Sequence, residues 1–309
     1  MKLQVYRSAL LCLLAVIGAA TAEARTLQVG PKHSLKAPSQ AAKIAADGDV
    51  IEIDSGEYFD CAVWSANRLR IVGKGSSVVL TDKACDGKAI FVIQGNDVHI
   101  ENLTFTRARV PDANGAGIRA EGMNLVVDSS RFINNENGIL SNNNDQSVIQ
   151  VRKSEFVRNG KCEGSCAHGI YINAAKLLRI EDSKFFETKS GHHIKSRAQR
   201  TEIVRVEIRD GTAGTSSYLI DIPNGGSLLV EDSVLEKGAG TTNRSAAIMI
   251  GAEGVTQPTQ EIIVRRNRFE GNGPNIAAFL VNRTATEAQL IANQLSGAHV
   301  AIVGDGAVH

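Results

Sequence analysis

Six consecutive positions, His192 to Arg197, carry two histidines, one lysine and one arginine within the stretch "GHHIKSR". Histidine titrates nearest neutral pH, and neighbouring lysine and arginine side chains can together bind an anionic group. A solvated basic turn would contain the same residue types without any function. The choice between these interpretations depends on which side chains share a face, and the fold decides that.

A short phrase of alternating apolar and polar residues recurs along the chain. The phrases end at Phe105, Phe132, Phe156, Phe185, Ile208, Leu235, Phe269 and Leu295. Successive phrases lie 23 to 34 residues apart, and each reads as a strand with one buried face, followed by a loop and a second short strand. Because strands this short cannot bury a face alone, the period predicts a solenoid whose turns stack on one another.

An antiparallel barrel or propeller would instead show hairpin turns, with about 10 residues per strand or about 40 per blade. Over nearly all of residues 26 to 303, the chain resembles the right-handed parallel β-helix proteins of the pectate-lyase-like superfamily. Its opening, "SLKAPSQAAKIAADGDVIEIDSGEYFD", is similar to the start of those folds, in which Ser39 to Ala46 would form a short helix. The predicted fold class is all-β: a single-domain right-handed parallel β-helix with a short N-terminal capping helix. The superfamily holds lyases, hydrolases, epimerases, esterases and non-enzymatic adhesins, so this resemblance predicts fold more firmly than activity.

Residues 1–24 begin with Lys2 and Arg7, continue with the apolar run "ALLCLLAVIGAA" and end in small residues, which is the order of a secretory signal peptide. The apolar run is too short to span a membrane. Cys12 follows a leucine, where a lipoprotein signal would have a small residue. We predict a signal peptide over residues 1–24, a β-helix domain over residues 25–309, and a secreted or periplasmic protein without a membrane-spanning segment in its mature chain.

Removal of residues 1–24 would leave 32 basic and 32 acidic residues, a balance that argues against a nucleic-acid partner. Four cysteines would remain, and an even number in an exported chain predicts two disulfides. The simplest pairing joins Cys61 with Cys85 and Cys162 with Cys166. The stretch "KCEGSC" also has the spacing of half a zinc site, but no second half accompanies it. We predict a monomer that uses no metal and no cofactor.

The second strands can be aligned on a central apolar residue that points inward. These central residues are Ile118, Ile139, Ile170, Ile194, Ile220, Ile248 and Phe279. The following residue then points outward, which places Tyr171, Lys195 and Asp221 side by side on three adjacent strands. The residue three positions after the centre also points outward and adds Asn173 and Arg197 to this face.

The residue two positions before each centre, where the strand leaves its loop, is predicted to lie on the same face. The three coils contribute His168, His192 and Tyr218 there. His193 would point to the opposite side and hydrogen-bond a neighbouring loop. In the final coil, Leu280 would be the first outward residue. Since functional residue types concentrate in three adjacent coils, the pattern favours a site over a random polar face.

Proteins of this superfamily mostly act on acidic polysaccharides, so the resemblance implies a polysaccharide substrate. Lys195 and Arg197 would neutralise a uronate carboxylate and thereby acidify the proton on the adjacent carbon. His192, Tyr171 and Tyr218 are the candidate acids and bases, because a histidine titrates near neutral pH and a tyrosine beside Lys195 could act in its ionised form. The sequence therefore predicts a metal-independent polysaccharide lyase that works by β-elimination.

Supporting roles are predicted for the remaining polar residues of this face. Asp221 would orient Lys195 or a histidine, and His168 would serve as a second proton carrier. Asn173 would bind the substrate together with Arg197.

Three alternatives remain open. A glycoside hydrolase needs two carboxylates about 5 to 9.5 Å apart, and only Asp221 is well placed on this basic face, although Asp210 or Glu187 could join it from the loops. A uronate epimerase would return a proton to the opposite face of the sugar. A non-enzymatic polysaccharide-binding or envelope solenoid would use exposed aromatic side chains, for which Trp64 and Phe91 are candidates.

Overall fold

The computed structural model describes residues 24–273 and 276–309. The predicted signal peptide, residues 1–24, lies outside the described residues except for Ala24. The described chain forms a parallel β-solenoid of about 11 turns with almost no helix. Three long parallel sheets, which we number in the order the chain visits them within one coil, run along the solenoid.

The strand boundaries follow the same order in every coil. Sheet one contains Thr26–Val29, Val50–Ile53, Arg70–Gly73, Val98–Glu101, Leu125–Asp128, Asn144–Arg152, Ala175–Glu181, Arg200–Val204, Ser227–Glu231, Ile262–Arg265, Ala288–Ile291 and Gly306–Val308. Sheet two contains Gly56–Tyr58, Val78–Thr81, Thr104–Thr106, Arg131–Ile133, Glu155–Val157, Lys184–Phe186, Glu207–Arg209, Val234–Lys237, Arg268–Gly271 and Gln294–Ser296. Sheet three contains Ala62–Trp64, Ala89–Ile93, Ala116–Ala120, Asn137–Ser141, Ile170–Ile172, Ile194–Ser196, Ile220–Ile222, Ala246–Ile250, Ile276–Asn282 and Ala298–Val303.

Each repeated phrase forms two strands rather than the single strand that its alternation predicts. A residue with left-handed backbone geometry separates the sheet-one part from the sheet-two part, as at Asn102 (φ 56°), Ser129 (φ 48°) and Asp182 (φ 48°). This residue turns the chain so that the alternation of inward and outward side chains restarts on the next sheet. Three sheets per coil, instead of two, close around the core.

Identical residues stack through the core from coil to coil. The rings of Phe105, Phe132, Phe156 and Phe185, which end four successive phrases, form a continuous stack. Their centroids are 5.2, 4.6 and 4.6 Å apart, with interplanar angles of 12° or less. All four side chains are buried, so the predicted interior ladders are confirmed. Such stacking typically adds about 0.5 to 1.5 kcal/mol per pair beyond the burial of area.

A single helix, Pro38–Ala42, lies near the start of the described chain. It is shorter than the predicted helix over Ser39 to Ala46, and proline occupies a first-turn position that needs no N–H donor. Ala41 is fully buried, and the helix contacts the strands Thr26–Val29 and Ala62–Trp64. A capping role for this helix stays a prediction.

Two disulfides pair as the sequence predicts. Cys61 and Cys85 are joined across a Cα separation of 5.5 Å. Cys162 and Cys166 close a small antiparallel hairpin that rises from the loop ahead of sheet three. Among the described residues, no helix is long and apolar enough to cross a membrane.

The predicted register of sheet three holds except in its last coils. Ile248 pairs with Leu280 rather than with Phe279, and Met249 pairs with Val281 rather than with Leu280. Phe279 and Leu280 are both fully buried. Both side chains belong to the hydrophobic core in the middle of the strand Ile276–Asn282, and the prediction wrongly placed the centre at the first of them.

Candidate active site

Three adjacent strands of sheet three carry a polar cluster on their outer face. Tyr171 pairs with Lys195, and Lys195 pairs with Asp221, as the sequence predicts. The flanking strands hold Leu140 beside Tyr171 and Met249 beside Asp221. The cluster is therefore bounded by apolar side chains along the solenoid axis.

Three rings stack at the edge of this face where the strands leave their loops. The centroids of His168 and His192 are 4.8 Å apart, and those of His192 and Tyr218 are 5.2 Å apart, with nearly parallel planes. The backbone N–H of His192 donates to Nδ1 of His168 at 2.9 Å, and that of Tyr218 donates to Nδ1 of His192 at 3.0 Å. Asn137 has the histidines' accepting role in the preceding coil, where its Oδ1 accepts a hydrogen bond from the N–H of His168 at 2.8 Å. The two histidines thus satisfy backbone donors that the ladder leaves unpaired.

These hydrogen bonds fix the protonation of His192. Since Nδ1 accepts a hydrogen bond from the N–H of Tyr218, the neutral ring carries its proton on Nε2, which lies 3.4 Å from Oδ2 of Asp221. Burial, with a further contribution from the charge on Lys195, lowers the pKa of His192 to about 3. Burial likewise holds the pKa of His168 well below its ordinary value. Both rings are neutral near pH 7, and each already uses its basic nitrogen.

One carboxylate joins the two cations of the face. Glu253 places Oε1 2.6 Å from Nζ of Lys195 and Oε2 2.5 Å from Nη2 of Arg197. Together with Asp221, it gives the face two carboxylates beside two cations. The face that the sequence predicts to be basic is therefore balanced in charge.

The two carboxylates have different environments. Burial raises the pKa of Asp221 to about 6, although Lys195, 3.4 Å from its Oδ2, opposes this shift. Its buried Oδ1 has no hydrogen-bond partner among the described residues. Partial burial opposes ionisation of Glu253, but hydrogen bonds from Lys195 and Arg197 outweigh it and lower the pKa of Glu253. The pKa values of Asp221 and Glu253 are therefore shifted in opposite directions.

Tyr171 packs against both cations. Nε of Arg197 donates to the phenol oxygen at 3.0 Å, and Nη1 of Arg197 donates to Oδ1 of Asn224. Nζ of Lys195 lies 5.6 Å from the centroid of the tyrosine ring, which is within the range of a cation–π contact. The phenol oxygen of Tyr171 therefore lies directly beside Arg197, one of the two cations that bind Glu253.

Neither loop carboxylate considered from the sequence joins this face. Asp210 is fully buried and lies 2.9 Å from Nε2 of His193, whose Nδ1 lies 2.8 Å from the hydroxyl of Thr188. His193 thus points away from the face and toward neighbouring loops, as predicted. Glu187 pairs with Arg158 at 2.8 Å.

Other candidate binding residues are used by the fold. The backbone N–H of Asn173 donates to Oγ of Ser141 at 2.9 Å, and its side-chain amide donates to the carbonyl of Ser141 at 2.6 Å. Trp64 and Phe91 are fully buried with ring centroids 5.4 Å apart, so neither is an exposed sugar platform. Within the described part of the chain, no group of three or more histidine, cysteine, aspartate or glutamate side chains is arranged to hold a metal ion.

A buried lysine lies behind the ring stack. Lys237 is fully buried, and its Nζ donates to the carbonyl of Ser217, the residue before Tyr218. Burial lowers its pKa from an ordinary value of 10.5 to about 8, while Asp210 partly offsets the shift. The folded protein therefore gives up this proton more readily than the unfolded chain.

We expect stability to rise with pH because of Lys237. Between pH 8 and 10.5 the unfolded chain keeps the proton that the folded protein has released, so the free energy of unfolding increases by about 3 kcal/mol across this window. Urea denaturation of the wild type and of Lys237→Met at pH 7 and at pH 10.5 measures the effect. All other groups titrate in both proteins, so the difference between the two pH dependences belongs to Lys237. If the free energy of unfolding changed by the same amount with pH in both proteins, the lowered pKa of Lys237 would be contradicted.

No protein-family model and no curated sequence matches the chain. Among solved structures, an alginate lyase from Paenibacillus sp. str. FPU-7 is similar, with a TM-score of 0.63 and 17% identity over 91% of this chain and 99% of that chain. The pectate lyase Pel9A is similar with a TM-score of 0.61 and 13% identity, over 92% of this chain and 78% of that chain. The fold is that of a pectate-lyase-like right-handed β-helix. At these identities the likeness concerns the fold alone, and the chemistry of this β-helix has to be argued from its own side chains.

Glu253 is the site residue that the sequence did not reveal. It lies in the loop after Ala246–Ile250, within the longest interval between phrases, the 34 residues that separate Leu235 from Phe269. This unusual interval was the available signal, because long insertions between the strands of a β-helix often carry functional residues. The repeat alone assigns no position to a side chain in such a loop.

Proposed function

We propose that the protein is an enzyme that cleaves a uronate-containing polysaccharide by β-elimination without a metal ion. The observation that carries the proposal is the carboxylate of Glu253, held jointly by Lys195 and Arg197. Lys195 and Arg197 bind one carboxylate of the protein, so their spacing also suits the carboxylate of a uronate. We call Lys195 and Arg197 the carboxylate receptor.

The receptor supplies the first requirement of an elimination. Binding of the uronate carboxylate stabilises the negative charge that develops when the neighbouring carbon loses its proton. Tyr171, hydrogen-bonded to Arg197, is the proposed proton carrier. The phenolate oxygen of Tyr171 takes the proton from the carbon beside the carboxylate, and the electron pair of the broken C–H bond forms a carbon–carbon double bond. The bond to the glycosidic oxygen breaks, and that oxygen receives the proton back from Tyr171.

The neutral, hydrogen-bonded state of the histidines changes their proposed roles. His192 and His168 position the strand edge, and His192 also contacts Asp221, which in turn contacts Lys195. Asp221 is therefore proposed as the residue that orients Lys195. Tyr218 completes the ring stack, and its hydroxyl lies 3.5 Å from Oγ of Ser245.

A glycoside hydrolase is the second candidate, and one observation favours it. Asp221 and Glu253 both contact Lys195, and their pKa values are shifted in opposite directions, as for an acid and its ionised partner. The burial of Asp221 makes it the less accessible of the two. We therefore rank elimination first.

The location of the enzyme belongs to the same proposal. Two disulfides are typical of proteins that fold in an oxidising compartment. We propose that residues 1–24 direct export and that the working chain begins at Arg25, in the periplasm or outside the cell.

The reaction can be tested with the chain from Arg25 onward. We expect incubation with polygalacturonate or alginate, in the presence of a chelator, to produce the ultraviolet absorbance of an unsaturated uronate end. A neutral polymer such as cellulose oligomers serves as the control and should give no signal. New reducing ends without absorbance would indicate hydrolysis instead, and the absence of both signals from every acidic polymer would contradict cleavage.

A further inference from the structure

The carboxylate receptor is already filled by the protein itself. The Glu253 side chain is 45% exposed, whereas the Lys195 side chain beneath it is 9% exposed and that of Arg197 is 23% exposed. Glu253 therefore lies between the two cations and solvent.

Every side-chain nitrogen of the receptor already has a partner within the protein. Arg197 uses Nε for Tyr171, Nη1 for Asn224 and Nη2 for Glu253. Lys195 contacts Asp221 and Glu253. An incoming carboxylate that binds both cations in the same bridging way must take the place of Glu253, because the other partners belong to the strand face and its adjacent turn.

The loop that carries Glu253 has a fixed backbone. The N–H of Glu253 donates to the carbonyl of Pro223 at 2.9 Å, and the N–H of Thr256 donates to the carbonyl of Asn224 at 2.9 Å. Since these hydrogen bonds attach the backbone to the turn after Ile220–Ile222, the Glu253 side chain is the part of the loop that would have to rotate to uncover the receptor.

We propose that Glu253 is an internal stand-in for the substrate carboxylate, which occupies the receptor in the free enzyme and is displaced by a uronate of the bound polymer. This inference rests on the proposed function. It makes Glu253 a residue that determines specificity. An intramolecular carboxylate competes at an effective concentration of about millimolar or higher, so a single uronate binds poorly, while a polymer with contacts along the groove can displace it.

An opposing role is physically possible. Glu253 could act only to hold Lys195 and Arg197 in place, in which case its removal would weaken binding of anionic sugars. The two roles predict opposite changes in affinity, so a binding measurement separates them.

The test is calorimetric titration with hexasaccharides of galacturonate and of mannuronate, and with cellohexaose as the neutral probe. All proteins carry Tyr171→Phe so that cleavage does not consume the probe. We expect Glu253→Gln to bind at least one anionic hexasaccharide about tenfold or more tightly than its parent, without a change for cellohexaose. Glu287→Gln, which removes the same charge from an exposed position in a later loop, is the matched control and should change affinity by less than about twofold.

Arg197→Met separates the two possible failures. If the parent binds an anionic hexasaccharide and Arg197→Met weakens that binding, but Glu253→Gln leaves it unchanged or weaker, the stand-in role is overturned and the receptor remains. If no protein prefers either anionic hexasaccharide over cellohexaose, the proposed uronate receptor fails, and the inference fails with it. A gain in Glu253→Gln that disappears on adding Arg197→Met supports both.

Discussion

Lys195→Met lowers kcat/KM on the cleaved uronate polymer by an expected 100- to 1,000-fold, the range for loss of one preorganised group that stabilises developing charge. Lys195 is 9% exposed and contacts both Glu253 and Asp221, so its ammonium is fixed before substrate arrives. Methionine keeps most of the side-chain volume and removes the charge. Initial rates of absorbance increase measure the effect.

A matched control for this variant lies on another face of the solenoid. Lys184 belongs to sheet two, is 58% exposed and lies 3.9 Å from Glu207, so Lys184→Met should retain activity. Circular dichroism and thermal unfolding of both variants show whether the coil is intact. If a folded Lys195→Met protein kept more than about a third of wild-type activity, the substrate carboxylate would have to be bound by other residues.

Tyr171→Phe is expected to lower kcat by at least about 100-fold, which is the contribution of a positioned acid or base. The change removes only the oxygen that accepts from Nε of Arg197 and leaves the ring against Lys195. The affinity for an anionic hexasaccharide should therefore stay within about threefold of wild type. Steady-state rates and calorimetric titration separate the two quantities.

Tyr218→Phe provides the comparison for proton transfer. Its ring lies in the stack with His192, and its hydroxyl is 3.5 Å from Ser245. We expect this variant to keep most of its activity. The reverse result, an active Tyr171→Phe and an inactive Tyr218→Phe, would assign the proton carrier to the ring stack and return His192 to consideration.

The register of sheet three could be predicted because isoleucine recurs at one inward position in successive coils, as at Ile170, Ile194 and Ile220. Because side chains alternate between the two faces of a strand, an inward isoleucine implies that the next residue, Tyr171 or Lys195, points outward. The prediction failed at Phe279, where two adjacent buried residues compete for the central position and alternation gives no preference.

The left-handed residue at the bend between sheets one and two changes in type from coil to coil. Left-handed geometry occurs at Asn102, Ser129, Lys153 and Arg205, whose side chains differ in size and charge. The geometry recurs while the residue type varies, so the closure of the coil requires it at these positions. The partners of Glu253 were hidden for a related reason, since Lys195 is 58 residues away in the chain and no period relates them.

The polar face is built on a grid whose rows are coils and whose columns are positions within a strand. Tyr171, Lys195 and Asp221 occupy one column in three rows, and the loops between the rows do not enter the column. A loop can therefore gain or lose residues without changing the spacing of these three strand residues, although the loop that carries Glu253 also contributes a side chain to the face. Relatives with the same chemistry are therefore best recognised by matching residues at equivalent strand positions in successive coils, with free spacing between the coils.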